Sequence, residues 1–416
     1  MAPVWLLVWL VALLALAPPA RAGQLITIAT PSRHVDPARI IFNGAEQPTE
    51  LRANVLLPDG YDPARAYRVL FLLHGIGDNH GSWARPDRGD IVNTARGLDA
   101  IVVMPEADRG FYTNWWNGGR RADPGWERFY LDELIALIEQ RFRVLPGRRN
   151  HAIAGLSMGG FGSTFLGGQR PDYFGAVATF SGFLQSQRPE VELGLRAVGG
   201  PEYQTIFGPR DAFYATGHNP TRLVENLRHS RNFVAIGSGT VEPGVASEPA
   251  AVIGGGAVEA GLRVQNEEFV DAARGARVAL TYRPQLGVHD WPYWRRHLRQ
   301  AIEWGLFDDV AERPEGWTYR TVAATGRMWT LRYDFAAPPE QVITFERTGD
   351  VLRGRGAGIV TVSDVETGCR FTAALPFDRP MPSVACPPRP TTAGRPERPP
   401  VRPAPPPTTG GRPERP

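Results

Sequence analysis

One serine of this chain has neighbours that would make it a nucleophile. Ser157 is the centre of Gly155-Leu156-Ser157-Met158-Gly159, after an apolar run that reads as a short strand and before a segment that reads as a helix. A serine hydroxyl attacks an acyl carbonyl only when a turn exposes it and a neighbouring base takes its proton. The glycines allow strand and helix to approach closely at such a turn. The pattern predicts nucleophilic acyl chemistry at Ser157.

The base should be a histidine later in the chain, because this type of turn goes with the order serine, acid, histidine. His229, His289 and His297 follow Ser157 by enough to fit. His289 lies between a predicted strand, Val278–Tyr282, and the last helix, in a loop at the carboxyl end where α/β sheets bind ligands. His297 falls inside that helix and His229 precedes a strand, so we predict His289 as the base.

The orienting acid is less determined by position. Glu242, Glu248 and Glu259 all lie between Ser157 and His289, and position alone slightly favours Glu242, in the loop after the Phe233–Ile236 strand. Asp290 is next to the histidine, so we expect its side chain to point elsewhere.

An oxyanion hole requires backbone N–H groups aimed at the developing negative charge. One should come from Met158 and the other from His74-Gly75-Ile76-Gly77, which follows the Val69–Leu73 strand. Ile76 N–H is the candidate in this loop. A plain turn at the end of the strand is the alternative.

Strands and helices alternate from Leu51 to Phe307. Continuous apolar runs at Val69–Leu73 and Ala100–Met104 are typical of strands buried on both faces, and Trp126–Phe142 has helical spacing. The alternation predicts an α/β fold over residues 23–312, with a mostly parallel sheet and helices on both faces. The strand, turn and helix around Ser157 are those of the α/β-hydrolase type. Trp329 opens an alternation of period two, which predicts a small β-rich domain over 315–388.

The two ends differ in composition from the rest. Residues 1–22 contain an apolar run and an Ala-Arg-Ala site, and predict a signal peptide, with an uncleaved anchor as the alternative. Residues 389–416 are rich in Pro and Arg, repeat Gly-Arg-Pro-Glu-Arg-Pro, and predict a disordered tail. The tail, with six Arg and two Glu, has a net charge of +4, and residues 23–388, with 39 Arg and 41 Asp and Glu, have a net charge of −2. The near-neutral body does not suggest a nucleic-acid partner. Cys369 and Cys386 are expected to pair in an exported protein, and no cluster has the spacing of a metal or cofactor site.

The chain resembles the esterase D-like α/β-hydrolases, and among them the antigen 85 mycolyltransferase and diacylglycerol acyltransferase type. The resemblance covers about residues 50–307 and rests on Val103-Met104-Pro105, Phe111 to Trp115, the serine motif and His289-Asp290-Trp291-Pro292-Tyr293-Trp294. In that family the catalytic glutamate opens a helix about thirty residues before the histidine. The resemblance therefore implies Glu259 as the acid, with Glu242 in reserve.

The resemblance also has departures. His74 and Gly77 stand where mycolyltransferases carry the Asp and Arg that help to hold trehalose. This difference favours a plain esterase. His74, Trp115, Trp116 and Trp291 are candidates for substrate contact, and packing is an equal alternative for the paired tryptophans.

The sequence thus predicts a secreted serine esterase that needs no cofactor and acts on a small-molecule, lipid or glycan ester. Acyl transfer to a sugar or glycan hydroxyl is the first alternative, and a non-catalytic wall-binding protein on the same scaffold is the second. Cell-envelope association through the β-rich domain or the tail is a further expectation.

Overall fold

An eight-stranded sheet forms the centre of the larger part of the computed structural model. The structure describes residues 23–39, 50–121, 123–249 and 251–386, so the predicted signal peptide and the predicted tail lie outside the described residues. The strand order is β1-β2-β4-β3-β5-β6-β7-β8, with β1–β2 and β2–β4 antiparallel and every other pair parallel. The prediction of a mostly parallel sheet is confirmed.

The strands of this sheet are short, and all but the two edge strands are largely buried. Their bounds are Leu25–Ala29 (β1), Arg52–Leu56 (β2), Arg68–Leu73 (β3), Ala100–Pro105 (β4), His151–Leu156 (β5), Ala176–Phe180 (β6), Arg231–Ile236 (β7) and Thr281–Pro284 (β8). The α-helices are Ile91–Thr94 (α1), Trp126–Arg128 (α2), Ile135–Arg141 (α3), Met158–Gln169 (α4), Val191–Ala197 (α5), Tyr203–Phe207 (α6), Phe213–Gly217 (α7), Gly256–Gly275 (α8) and Trp291–Trp304 (α9). Two π-helical stretches, Phe129–Leu134 and Ala251–Gly255, precede α3 and α8.

Apolar residues cover both faces of the sheet. Along β3, Phe71 and its alternate neighbours join the cluster under α4 and α8, whereas Leu70 and Leu72 join the cluster under α9. Strands buried on both faces read as unbroken apolar runs in the sequence. The apolar runs predicted at β3 and β4 therefore arise because both faces of the sheet are buried.

The predicted strand at Val278–Tyr282 is wrong in its bounds. Val278 lies in the turn that ends α8, because its N–H donates to Ala273 O at 2.8 Å and Arg277 has a φ of 55°. The strand begins at Thr281. Apolar residues that close a helix and those that open a short strand give the same local pattern, so the sequence did not separate them.

The C-terminal part has a core of its own between two four-stranded antiparallel sheets, ordered β10-β11-β14-β15 and β16-β13-β12-β9. Their strands are Gly316–Thr321 (β9), Thr325–Met328 (β10), Leu331–Phe335 (β11), Ile343–Thr348 (β12), Val351–Arg355 (β13), Ile359–Asp364 (β14), Arg370–Ala374 (β15) and Phe377–Pro380 (β16). The expected Cys369–Cys386 disulfide is present. Tyr319 Oη donates to Gln169 O at 3.1 Å, so β9 packs against the end of α4.

Candidate active site

Five neighbouring strands deliver polar groups to one edge of the sheet. The residues that directly follow β3, β4, β5, β6 and β7 are His74, Glu106, Ser157, Ser181 and Gly237. These strands are parallel, so their carboxyl ends meet at the same edge, where open α/β sheets bind ligands. The loop after β8 carries His289 to the same place.

Ser157 occupies a strained turn between β5 and α4. Its φ and ψ are 54° and −117°, outside the conformations that a side chain ordinarily adopts. The turn is held by its own backbone: Ser157 N donates to Phe180 O at 2.9 Å, and Ser157 O accepts from Phe161 N and Phe183 N at 3.1 and 3.2 Å. The surrounding backbone thus fixes the hydroxyl at the mouth of the sheet.

The two glycines of the motif are required by close approach. A methyl group added to Gly155 would lie 2.2 Å from Gly159 O, and one added to Gly159 would lie 2.6 Å from Leu73 O. Real Cβ atoms do not approach backbone this closely. Any larger residue at these positions would therefore push α4 away from β3 and β5 and displace Ser157.

His289 joins the serine to a carboxylate. Its Nε2 lies 2.9 Å from Ser157 Oγ and its Nδ1 lies 2.7 Å from Glu259 Oε2. Because the carboxylate can only accept, Nδ1 carries the proton and Nε2 is free to accept from the serine hydroxyl. The imidazole packs edge-to-face on Trp294, with ring centroids 4.8 Å apart. Ring packing and two hydrogen bonds together fix its orientation.

Glu259, in the first turn of α8, is fully buried and fully bonded. Its Oε1 accepts from Ser181 Oγ at 2.7 Å and from Gly237 N at 2.6 Å, in addition to the bond between Oε2 and His289. Burial alone favours the neutral acid, but the hydrogen bonds with His289, Ser181 and Gly237 keep the pKa of Glu259 below its usual value. An ionised carboxylate in this position stabilises a protonated His289.

Ser181 and Gly237 were not among the candidates from the sequence. They directly follow β6 and β7, and Trp294 Nε1 also donates to Ser181 Oγ at 3.1 Å. The signal that could have found them is their position at the carboxyl ends of β6 and β7.

The other candidate acids and histidines lie elsewhere. Glu242 forms an ion pair with Arg296, Glu248 is exposed, and Asp290 caps α9 by accepting from Trp291 N at 2.7 Å. His297 is buried in α9, where burial lowers its pKa to about 4. His229 Nε2 lies 2.7 Å from the carbonyl oxygen of Gly316, at the start of β9. Only the Glu259 carboxylate, among these acids, is bonded to His289 in the described part of the chain.

The backbone segments that carry the two predicted oxyanion donors lie beside Ser157. Met158 opens α4, and the first N–H groups of a helix have no acceptor within it. Ile76 follows Gly75, where an added methyl group would lie 3.4 Å from Ser157 Cβ. The loop turns there, since Asp78 N donates to Gly75 O at 3.2 Å. Both backbone segments are therefore adjacent to the nucleophile.

The structure contradicts substrate contact by the His74 side chain. Only 1% of His74 is exposed, its Nδ1 lies 2.8 Å from Gly75 O, and its Nε2 accepts from Ala107 N at 3.0 Å. Both ring nitrogens are thus used inside the protein. The sequence showed that His74 ends β3 but not that the ring turns inward.

The three tryptophans named from the sequence have different surroundings. Trp116 packs on Phe213 and Tyr214, and Trp291 packs edge-to-face on Trp83 and Trp294, so both serve packing in this structure. Trp115 instead lines a cavity of about 790 Å³.

This cavity lies next to the Ile76 loop. Its wall includes Asp108, Arg109, Asn117 and Gly200, and a methyl group on Gly200 would lie 3.1 Å from Ile76 Cδ1. Polar side chains and an indole ring in one concave surface can hold a polar organic molecule. In the described ranges, no group of three or more His, Cys, Asp or Glu side chains is placed to hold a metal ion, and no helix is long and apolar enough to cross a membrane.

Comparison with known proteins gives a family and two kinds of relative. Residues 45–304 match the esterase family model, described as "Putative esterase". An esterase of Mycobacterium tuberculosis is 29% identical over 44% of this chain and 42% of its own length. The diacylglycerol acyltransferase/mycolyltransferase Ag85C of Mycobacterium leprae is 30% identical over 47% of this chain and 61% of its own length. The chain spans less than two thirds of either relative.

Solved structures share the fold. The fluorophosphonate-binding serine hydrolase FphF of Staphylococcus aureus superposes with a TM-score of 0.52 at 20% identity, covering 69% of this chain and 99% of that one. MPT51 of Mycobacterium tuberculosis gives a TM-score of 0.51 at 22% identity, covering 68% and 98%. The shared region has the α/β-hydrolase fold.

Proposed function

The chain belongs to the esterase family, and from this premise we propose that it hydrolyses carboxylic esters through Ser157, His289 and Glu259. The family and its relatives support an enzyme of ester hydrolysis or acyl transfer. The observation that carries the finer proposal is the continuous hydrogen-bonded chain from Glu259 through His289 to Ser157 Oγ. Its members come from three segments far apart in sequence.

In the acylation step, Ser157 Oγ attacks the ester carbonyl and His289 Nε2 takes the hydroxyl proton. Glu259 stays ionised and stabilises the imidazolium. The N–H groups of Ile76 and Met158 hold the oxyanion of the tetrahedral intermediate. His289 then gives its proton to the leaving alcohol oxygen as the ester C–O bond breaks, which leaves an acyl group on Ser157.

In the deacylation step, water takes the place of the alcohol. His289 removes a proton from the water, the hydroxide adds to the acyl carbonyl, and Ser157 Oγ leaves with the proton from His289. Carboxylic acid and free enzyme result. Every proton in this cycle passes through His289 Nε2. Neither step uses a metal ion or a cofactor.

The direct test is Ser157→Ala assayed on 4-nitrophenyl esters. We expect kcat to fall by about 10⁶, toward the residual rate of binding and oxyanion stabilisation alone. Ser186→Ala is the matched control, because the Ser186 hydroxyl is buried and has no hydrogen-bond partner in the described structure. Unchanged turnover in Ser157→Ala would overturn the proposal.

Acyl transfer to a sugar or glycan hydroxyl is the second candidate, and the cavity beside Ile76 favours it. A cavity of about 790 Å³ with Trp115, Asp108 and Arg109 in its wall is large enough for a sugar acceptor. A labelled acyl donor supplied with and without trehalose separates the two reactions. Labelled acyl-sugar would establish transfer, and labelled acid alone would establish hydrolysis.

We further propose that the enzyme works outside the cytoplasm on small-molecule, lipid or glycan esters. The Cys369–Cys386 disulfide supports this location, because disulfides persist in oxidising compartments. Envelope association through the C-terminal part belongs to the same proposal. Cell fractionation tests it: protein beginning near Gly23 in the medium or envelope supports export, and uncleaved protein in the cytoplasm contradicts it.

A further inference from the structure

A buried carboxylate beside the active site is not used by the proposed mechanism. Glu106 directly follows β4, is 2% exposed and accepts four hydrogen bonds. Oε1 accepts from Ala107 N at 3.1 Å and Asp108 N at 2.9 Å, and Oε2 accepts from His80 Nδ1 at 2.9 Å and His80 N at 3.3 Å. The first pair lies in the loop after β4 and the second in the loop after β3.

His74 closes the same link from the other side. Its Nε2 accepts from Ala107 N at 3.0 Å and lies 3.5 Å from Glu106 Oε1. Its carbonyl accepts from Tyr112 Oη at 2.8 Å. The segment from His74 to His80 is thus attached at both ends to the loop that begins with Glu106, and Ile76 lies between the two attachments.

Glu106 remains charged despite its burial. Desolvation favours the neutral acid, but the hydrogen bonds from the His80 side chain and the N–H of Asp108 hold the pKa of Glu106 well below its usual range. Hydrogen bonds to an ionised acceptor are shorter and stronger than those between neutral groups. A charged carboxylate is therefore a firmer anchor for the two loops than a neutral amide of the same size.

We propose that Glu106 is a positioning residue that fixes Ile76 N–H for the oxyanion by tying the loop 74–80 to the loop 106–110. It touches neither substrate nor the reacting atoms, and it acts through His74 and His80. The inference rests on the proposed function, because it assigns Ile76 N–H to the oxyanion hole. It also adds a consequence: Asp108 and Arg109 line the cavity, so the same anchor shapes the wall beside Ile76.

The expected size of the effect follows from the cost of misplacing one donor. Loss of an oxyanion donor lowers kcat by about 10²–10³, and a shift of about 1 Å in a positioned group costs up to about 10². Glu106→Gln keeps the volume but removes the charge and presents an N–H₂ group to one of its donors. We expect kcat on 4-nitrophenyl esters to fall by about 10–100-fold with KM within about threefold.

Glu127→Gln is the matched control, since Glu127 is also buried and its carboxyl group accepts from Asn114 Nδ2 at 3.0 Å rather than from the 74–80 or 106–110 loop. Its kcat should stay near that of the wild type. A trifluoromethyl ketone, which forms an oxyanion adduct with the serine, gives a second readout. In Glu106→Gln its inhibition constant should rise by the same factor by which kcat/KM falls, whereas a purely structural loss of folded enzyme would leave the constant unchanged.

His80→Phe covers the case in which Glu106→Gln does not fold, because the His80 side chain is partly exposed. We expect a smaller fall in kcat, of about 3–10-fold, again matched by the ketone. Wild-type kcat together with wild-type affinity for the ketone in Glu106→Gln would overturn the positioning proposal. If Glu106→Gln does not fold, the same result in His80→Phe would overturn it. Failure of the proposed function is a different result: the wild-type enzyme would then neither turn over esters nor bind the ketone.

Discussion

Two buried carboxylate–histidine pairs stand on the same edge of the sheet and are used in opposite ways. In the pair of Glu259 and His289, the imidazole keeps Nε2 for Ser157, and 14% of its side chain is exposed. In the pair of Glu106 and His74, the imidazole is 1% exposed and its Nε2 is occupied by Ala107 N–H. The residue types are the same, but His289 faces its carboxylate through Nδ1 at 2.7 Å, whereas His74 faces Glu106 through Nε2 at 3.5 Å.

The comparison shows that a histidine beside a carboxylate is not by itself a general base. Proton transfer requires a nitrogen that is both unprotonated and within reach of the reacting group. His289 meets this requirement, whereas both nitrogens of the His74 ring are hydrogen-bonded to backbone groups. A pair of this kind can therefore serve chemistry or architecture, and access to the cleft separates the two uses.

The largest effect that sharpens the comparison is expected from His289→Ala. It removes the only proton carrier of the proposed cycle, so kcat should fall by about 10⁴–10⁶ while the fold persists. The measurement is steady-state ester hydrolysis, with circular dichroism to check the fold. His229→Ala is the control and should retain kcat within about twofold. A loss of activity confined to the control would reverse the assignment.

Glu259→Gln is expected to have the next largest effect. A glutamine cannot stabilise the imidazolium and allows the wrong tautomer of His289, so kcat should fall by about 10²–10⁴. Glu242→Gln changes the other acid that position favoured, which forms an ion pair with Arg296 instead. Its kcat should stay within about threefold of wild type. If the Glu242 variant were the more damaged of the two, the acid would be misassigned.

These assignments show which parts of the site the sequence could supply. Ser157 can be predicted from a glycine-bounded turn, and His289 can be predicted from a loop that follows a strand. Both patterns are local and are visible in the residue spacing. The prediction of Glu259 depended on the family resemblance. The helix that places this residue beside His289 gives no signal at the residue itself. Ser181, Gly237 and Glu106 are partners through the fold, between segments distant in sequence, and no pattern within one segment predicts such contacts.

The strands also differ in how well the sequence predicts them. Strands such as β3 and β4 are buried on both faces and stand out as apolar runs. Gly316–Thr321 and Val351–Arg355 were not predicted as strands, because they mix arginine, glycine and threonine with their buried residues. Their identity depends on the pairing with β12, which is a tertiary property.

A third buried carboxylate extends the comparison to stability. Burial raises the pKa of Glu127 to about 8, and its neighbour His218 is neutral because burial lowers its pKa to about 4. The folded protein therefore holds a proton on Glu127 that the unfolded chain releases near pH 4.3. Stability from this group is present below that value and declines as pH rises toward about 8, with a limiting slope of about 1.4 kcal/mol per pH unit.

Urea unfolding of wild type and Glu127→Gln from pH 5 to pH 8 checks this sign. Relative to Glu127→Gln, the free energy of unfolding of wild type should decline with rising pH over that range. Glu106→Gln should keep the wild-type slope there, because the depressed pKa of Glu106 gives stability that is lost only as pH falls below the unfolded value of about 4.3. Equal pH slopes in wild type and Glu127→Gln, or a changed slope in Glu106→Gln, would contradict these assignments.

The smallest effect on activity is expected from the disulfide. Cys369 and Cys386 close a loop with a sequence separation of 17 in the C-terminal part, away from Ser157. Replacing both by serine should destabilise that part by about 3 kcal/mol, which denaturant unfolding followed by tryptophan fluorescence can measure. Ester hydrolysis below the transition should stay within about twofold of wild type. A large loss of kcat in the folded variant would show that the C-terminal sheets shape the active site.

Activation of Ser157 by His289 can be measured on the serine itself. The experiment is labelling with a fluorophosphonate probe, followed by mass spectrometry of the digested protein. We expect one covalent adduct on the peptide that contains Ser157, formed rapidly in wild type and in Glu242→Gln and at least about 10²-fold more slowly in His289→Ala. An adduct on another residue, or labelling of Ser157 at the wild-type rate without His289, would contradict it.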